Sequence, residues 1–286
     1  MHSGQRQEPP GERNDVTDQA LIPRIGFGTF DRTGDAGIAI LLTALEIGYR
    51  HLDTAQSYGT ERECGEALRR SELKRNEVFL TTKVTGENCQ PGRMLASLEQ
   101  SRDNLGVDRI DLTLIHWPVG PSGSFDKSSM FDQLLDAQSR GLTRLVGVSN
   151  FTIADLEETK PLLGSAKLST NQFERHPFLQ NKRLVKYCED NDIAVTCYLP
   201  LARGACAGDP TIEAIARAHD ATPHQVALAF SLAQGHVVIP TSGKPDRVRE
   251  NFAAASLELS AEEVAAIEKL DRNGRQINPS WSPKWD

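Results

Sequence analysis

The chain has 286 residues, of which 38% are apolar and 25% charged, with 22 glycines, a composition that suits one large core and excludes a disordered polyelectrolyte. Lys and Arg total 32 against 39 Asp and Glu, a formal charge of −7, which argues against nucleic acid as a partner because such proteins usually present a basic face. The cysteines at 64, 89, 188, 197 and 206 are odd in number and include no C-x-x-C pair, so a reducing, cytoplasmic setting without a disulfide framework is expected.

In chain order, residues 1–15 lack hydrophobic periodicity and carry Pro9, Pro10 and Gly11; they read as a disordered extension with no signal-peptide character. Residues 16–286 then read as a single domain, since no linker or short repeat interrupts them. Short β-rich runs recur at RIGFGTF, YRHLD, VFLTTK, IDLTLIH, RLVGVSN, LSTNQF, AVTCYLP and HVVIP. Stretches with helical spacing separate them, such as Ile38, Leu41, Leu42 and Leu45. Thr60 with Glu63, Thr152 with Asp155 and Ser260 with Glu263 are candidate capping boxes. Two helices, 210–219 and 223–233, fit before the last strand, and another near 260–270 follows it. Eight strands alternating with helices at roughly 30 residues per unit predict an α/β fold, a (β/α)8 TIM barrel. The longest stretch free of Asp, Glu, Lys and Arg, Ala221 to Gly243, contains Pro223, His224, Gln225 and Pro240, so no membrane span is expected.

A doubly wound dinucleotide fold would need G-x-G-x-x-G after the first strand. Gly26 and Gly28 begin that pattern, but Asp31 stands where the third glycine belongs. In a barrel, chemistry sits at the C-terminal strand ends. Those ends read Gly28-Thr29, Asp53, Lys83, His116, Ser149-Asn150, Gln172, Tyr198 and Thr241-Ser242. Strand ends meet water and are often polar for that reason alone. An Asp, a Lys and a His on successive strands go further, because buried charges need partners.

These residues bring the chain into line with a known family. GYRHLDTAQSYGTERECGEAL, carrying Gly48, Arg50, Asp53, Ala55, Tyr58 and Glu61, resembles the signature of the aldo-keto reductases. LTTKV, IHWP, GVSNF, NQFERHP, YLPLARG and IPTSGKPDRVRENF match further blocks in the same order. The resemblance implies a nicotinamide dinucleotide bound in extended form and the reduction of aldehydes or ketones to alcohols by hydride transfer. It implies that Tyr58 is the general acid, that Lys83 and Asp53 tune and hold it, and that His116 orients the substrate oxygen.

By the same carry-over, Gly28, Thr29, Phe30 and Asp53 are expected to contact the cofactor. Ser149, Asn150 and Gln172 hold the carboxamide, and Tyr198 stacks on the ring. Leu199, Leu201 and Arg203 follow the pyrophosphate. Thr241, Ser242, Gly243 and Arg247 face the adenosine phosphate, and Glu250 and Asn251 the adenine. Phe30, Tyr58, His116 and Trp117 line the substrate pocket, while Trp281 and Trp285 fit either a fold-back over the mouth or the surface. NADP(H) is the expected cofactor, with NAD(H) admitted because Thr241 stands where many members carry lysine. His51, on the Asp53 face of its strand, reads as barrel filling.

Elementary electrostatics supports the acid independently. A lysine ammonium ~4 Å from a tyrosine stabilises tyrosinate by about 4 kcal/mol at an effective dielectric of ~20, which would bring Tyr58 near pH 7. The principal alternative is a nucleotide-binding regulatory subunit without turnover. A metal-dependent hydrolase is disfavoured by the lack of H-x-H or H-E-x-x-H spacing among the histidines, so no metal site is expected. The expected partner is a small carbonyl or alcohol; no motif names its identity or an oligomeric state.

Overall fold

Alternation along the strands sets the architecture. In the computed structural model, which describes residues 22–286, β1 (Phe27–Gly28), β2 (His51–Asp53), β3 (Phe79–Val84) and β4 (Ile110–Ile115) come first. A small hairpin, β5 (Val119–Gly120) and β6 (Gly123–Ser124), precedes β7 (Thr143–Ser149), β8 (Thr170–Glu174), β9 (Ala194–Tyr198) and β10 (Val237–Val238). The strands other than the hairpin form one eight-stranded sheet in the order β1-β2-β3-β4-β7-β8-β9-β10, parallel throughout. A parallel bridge from Ile25 to Val238, with Gly26 N–H donating to Val238 O at 2.9 Å and Gly28 N–H to Pro240 O at 3.0 Å, joins the last strand to the first. The fold is a (β/α)8 barrel. The expected extension 1–15 lies outside the described residues.

Every second residue points into the barrel. Phe79, Leu112, Leu114, Leu145, Ala194, Val237 and Ile239 pack together there, and His51 fills the same space. Its Nε2 lies 2.9 Å from Thr81 Oγ1 and its ring stands edge-on to Phe79. The same alternation carries Asp53, Lys83, Ser149, Gln172 and Tyr198 to the C-terminal rim. The opposite strand faces, with Val84, Ile115, Val146, Val148 and Phe173, join the larger core beneath the helices.

Those helices are α1 (Gly34–Ile47), α2 (Glu61–Arg70), α3 (Met94–Leu105), α4 (Lys127–Ser139), α5 (Ile153–Thr159) and α6 (Lys182–Asp190). Then come α7 (Pro210–Ala218), α8 (Pro223–Ala233), α9 (Pro245–Ala253) and α10 (Ala261–Glu268). Thr152 with Asp155 and Ser260 with Glu263 form capping boxes as expected, and so do Thr222 and Gln225. Thr60 and Glu63 do not. Thr60 lacks the extended backbone of an N-cap; its hydroxyl is buried against those of Thr29 and Thr54, each at 2.9 Å, while Glu63 accepts from Gly34 N–H. Gly48, which ends α1 with φ 128°, is required twice over, because a Cβ there would also sit 2.9 Å from the Phe252 ring. Among the described residues no helix is long and apolar enough to cross a membrane, and all five cysteines are buried and free.

Candidate active site

Four side chains from three strand ends and one turn converge at the rim. Asp53 ends β2 and Lys83 stands one residue before the end of β3; Asp53 and Lys83 are each 1% exposed. Lys83 Nζ donates to Asp53 Oδ1 and to Thr54 O at 3.0 Å, and it reaches Tyr58 Oη at 3.5 Å. Gln172 Nε2 donates to the other carboxylate oxygen of Asp53 at 2.7 Å, so neither oxygen of this buried anion is left unpaired. His116 follows β4.

Tyr58 stands in a 3-10 turn, Gln56–Tyr58, directly after β2. Its ring is held edge-on between Phe30, at 5.1 Å, and His116, at 5.6 Å. The turn itself is anchored by Gln56. That side chain donates to Ser97 Oγ and Ser101 Oγ at 3.1 and 3.0 Å and accepts from Thr85 N–H and Asn88 Nδ2 at 3.1 and 2.9 Å. Gln56 was no part of the expected site; in sequence it looks like any loop glutamine, and only its tertiary partners reveal what it holds.

The electrostatics correct one expectation. Burial pushes the Tyr58 hydroxyl up from its ordinary value; Lys83 pulls it down and Asp53 raises it again, and the net direction is up. Tyr58 is therefore not brought near pH 7 by Lys83 in this chain, because placing a phenolate among protein atoms beside Asp53 costs more than the attraction of Lys83 returns. Lys83 is also moved up: burial alone would lower it, but the attraction of Asp53 and then Tyr58 wins. His116 is pushed down to about 3 by burial and by the Lys83 charge. At neutral pH the site holds a phenol, an ammonium beside Asp53 and an uncharged imidazole. Ser57 Oγ stands 3.5 Å from His116 Nδ1.

The expected carboxamide ligands are close to one another and already bonded. Ser149 Oγ donates to Gln172 O at 2.8 Å. Asn150 Nδ2 donates to His116 O and Ser149 Oγ at 3.0 and 3.1 Å, and Tyr198 Oη donates to Asn150 Oδ1 at 2.7 Å. Asn150 has φ 63°, so the chain turns sharply there and aims the amide back across the rim. Beyond Tyr198, Leu199, Ala202 and Arg203 have φ 48°, 48° and 52°, left-handed values that cost energy for non-glycine residues. Their clustering where a pyrophosphate was expected suits a loop shaped to present backbone to an anion.

Some expected ligands sit differently. Thr29 is fully buried, its hydroxyl against Thr60 and its backbone bonded to Asp53 O and Arg32 N–H, so it presents no group to a cofactor here and its side chain instead holds the Tyr58 segment. Asn251 is 2% exposed. Glu250 accepts from Thr222 Oγ1 at 2.6 Å, and Arg247 Nη1 lies 3.1 Å from His224 Nδ1; each already has a protein partner. Thr241, Gly243, Lys244 and Arg247 are exposed, while Gly28 lies buried beside them with a Cβ position 3.7 Å from Thr241 Cβ. With paired amide groups at one end and exposed hydroxyl and cationic groups at the other, the donor set fits an extended dinucleotide.

The substrate side is aromatic. Phe30 is 63% exposed, an outlier for a large apolar residue. Trp117 meets Trp281 at 5.1 Å and Trp285 at 6.0 Å, so the tail folds over the mouth rather than lying apart from it. Glu174 anchors this tail by accepting from Gln276 N–H and Ile277 N–H at 2.8 and 2.7 Å. Arg275 stacks on Trp285, and the Asp286 side chain accepts from Ile153 N–H at 3.0 Å. Beside Ser57, a cavity of about 770 Å³ opens among Thr85, Gln90, Arg93, Ser122 and Phe125.

Comparison with known proteins agrees with this geometry. The family model described as "Aldo/keto reductase family" matches residues 24–272. The methylglyoxal reductase DkgB of Escherichia coli O157:H7 is 41% identical over 266 residues, covering 93% of this chain and 99% of its own. The glycerol 2-dehydrogenase (NADP(+)) of Hypocrea jecorina is 36% identical, covering 91% and 92%. The solved aldose reductase of Schistosoma japonicum superposes with a TM-score of 0.85 at 31% identity, covering 91% of this chain and 92% of that one. With the barrel, the converging rim and these relatives together, the chain belongs to the aldo/keto reductase family, and it is a carbonyl-reducing oxidoreductase that uses a nicotinamide dinucleotide.

Proposed function

We propose that the protein reduces small aldehydes and ketones with NADPH in preference to NADH, and that Tyr58 delivers the proton. The observation that carries this reading is the convergence of Tyr58, Lys83, Asp53 and His116 at one point of the rim. A nicotinamide dinucleotide bound along the rim supplies the hydride. Ser149, Asn150 and Gln172 would hold its carboxamide, and Tyr198, tethered by Asn150, would pack against its ring.

His116, uncharged, donates a hydrogen bond to the carbonyl oxygen and fixes its direction. As charge grows on that oxygen, Tyr58 Oη gives up its proton to it. An alkoxide is a far stronger base than a phenolate, so a tyrosine whose acidity is lowered by burial remains protonated beforehand and still transfers downhill. Lys83 then faces the new phenolate at hydrogen-bond distance and stabilises it, while Asp53 and Gln172 keep the ammonium in place. The preorganised charges cost no rearrangement when the phenolate forms. Phe30, Trp117 and the tail tryptophans surround the carbonyl with apolar surface that excludes water.

The substrate class follows from the same walls and from the relative named a methylglyoxal reductase: compact carbonyls, 2-oxoaldehydes among them. For the cofactor, Ser242 and Arg247 support a 2′-phosphate, and the relative named for NADP(+) agrees. Thr241 brings no charge, so the expected preference for NADPH is ~10- to 10²-fold. Following oxidation at 340 nm across a panel of aldehydes, ketones and sugars, first with NADPH and then with NADH, tests both parts. Turnover of none of them would remove the reading, and equal kcat/KM with the two cofactors would remove the phosphate assignment.

A further inference from the structure

We propose that Arg32 is a second phosphate-facing cation of the 241–247 loop and a determinant of cofactor preference, supplying charge that Thr241 lacks. The proposal rests on the reading of Ser242 and Arg247 as ligands of the adenosine phosphate. Arg32 lies more than two hundred residues away in sequence, yet the barrel closure brings it there. Gly28 N–H donates to Pro240 O at 3.0 Å, and Arg32 N–H donates to Thr29 O at 3.0 Å, so the turn after β1 is bound against the segment after β10.

From this turn the guanidinium reaches across Gly243. A Cβ on Gly243 would lie 2.5 Å from Arg32 Nη1, so Arg32 occupies the space that any other residue at 243 would fill. Arg32 Nε donates to Phe30 O at 3.2 Å, which fixes the plane of the group. Its carboxylate neighbour, Asp31, is 77% exposed and 3.5 Å from Nη2, a loose pair of little net energy. Nη1 has no hydrogen-bond partner among the described residues. Arg247, by contrast, is already engaged by His224 and lies 3.9 Å from Glu250.

Ser242 and Gly243 also precede the N-terminus of α9, and Ser242 Oγ accepts from Lys244 N–H at 3.1 Å. A dianionic phosphate seated over Gly243 would therefore meet the Nη1 edge of Arg32, with Arg247 following in the first turn of α9. An arginine suits this position because its fork donates to two phosphate oxygens at once. The pyrophosphate, shared by NADH and NADPH, gives no discrimination; the 2′-phosphate does.

The test titrates the full-length protein with NADPH, NADH, 2′,5′-ADP and 5′-AMP, following tryptophan fluorescence or heat, so that the readout is binding and not turnover. Arg32→Ala should weaken NADPH and 2′,5′-ADP by ~10-fold or more while NADH and 5′-AMP change less than twofold. Gly243→Ala should do the same by displacing an intact Arg32. Arg32→Gln, which keeps the stem, guards against a folding defect and should resemble Arg32→Ala. Equal weakening of all four ligands, or of none, overturns the proposal. If Arg247→Ala abolishes discrimination while Arg32→Ala does not, Arg32 alone is excluded. If Arg247→Ala leaves discrimination intact, the reading of the loop itself fails.

Discussion

Asp53, Lys83 and Gln172 are each no more than 2% exposed, whereas Thr241, Gly243, Lys244 and Arg247 at the far end of the proposed cofactor track are exposed. At the first end, strand register does the positioning: Asp53 pairs with Thr81 and Lys83 with Leu114, and a one-residue slip would turn either side chain out of the barrel. At the second end, a turn, a helix N-terminus and flexible cationic side chains do it. The difference teaches where tolerance lies. Under the proposed function, reaction chemistry falls to groups that the barrel over-determines, and cofactor preference to groups that can exchange partners at little cost to the fold.

The sharpest way to break this comparison is Tyr58→Phe. Loss of a general acid should lower kcat by at least ~10²-fold, while the Kd for NADPH stays within about twofold because the dinucleotide is held elsewhere. Retention of more than half the activity would show that the proton comes from another group.

Lys83 and Asp53 test over-determination itself. Lys83→Met leaves a buried carboxylate facing no cation, and the expected loss of stability is ~3–5 kcal/mol together with loss of turnover. Adding Asp53→Asn should restore much of the stability and none of the activity. Chemical denaturation beside steady-state kinetics separates the two effects; a double variant no more stable than Lys83→Met would mean that the pair matters for packing rather than charge.

Asp53, Lys83 and His116 were legible in sequence because each is a charged or titratable residue ending an apolar β-rich run, a pattern that burial makes expensive. Tyr58 was legible only through family resemblance, since a loop tyrosine carries no signal of its own. The direction of its acidity was not legible, because a sequence shows that Lys83 and Tyr58 can be near but not how much solvent they lose. Thr60 departs from its capping pattern for a related reason: hydroxyls of Thr29 and Thr54, both outside that four-residue pattern, compete for it. Arg32 left no trace because what marks it is the missing side chain at Gly243, on the other side of the barrel seam. Trp281 and Trp285 were visible as tail aromatics, but their contact with Trp117 depends on Glu174 capturing two backbone N–H groups of the tail.

That tail belongs with the tolerant end of the molecule. Removing residues 279–286 takes away Trp281, Trp285 and the Asp286 contact with α5, yet leaves the Glu174 anchor and every rim residue. KM for a compact aldehyde should rise several-fold, with kcat within about threefold of the intact protein. A kcat that falls as far as in Tyr58→Phe would place the tail within the over-determined centre instead.

The smallest effect is in how stability depends on pH. Burial holds His236 as well as His116 down to about 3 and also lowers His51. The unfolded chain protonates these imidazoles near 6.5, so below that pH it binds protons that the folded chain refuses. Stability should therefore be fully present above about pH 6.5 and decline as the pH falls towards the folded values. At pH 5.5 the loss is about 1.4 kcal/mol for each of His116 and His236, or a few degrees in Tm. His236 faces Glu189 at 3.2 Å, a half-exposed carboxylate, while Arg175 and Arg24 oppose its protonation; it lies far in the chain from the tetrad and can be changed without touching the chemistry. His236→Gln should reduce the Tm difference between pH 7.5 and 5.5 by that one histidine's share and leave kcat unchanged, whereas His116→Asn should reduce it similarly and abolish efficient turnover. An undiminished pH slope in both variants would mean that these imidazoles take up protons in the folded state, and His116 could then no longer be the uncharged donor to the substrate oxygen.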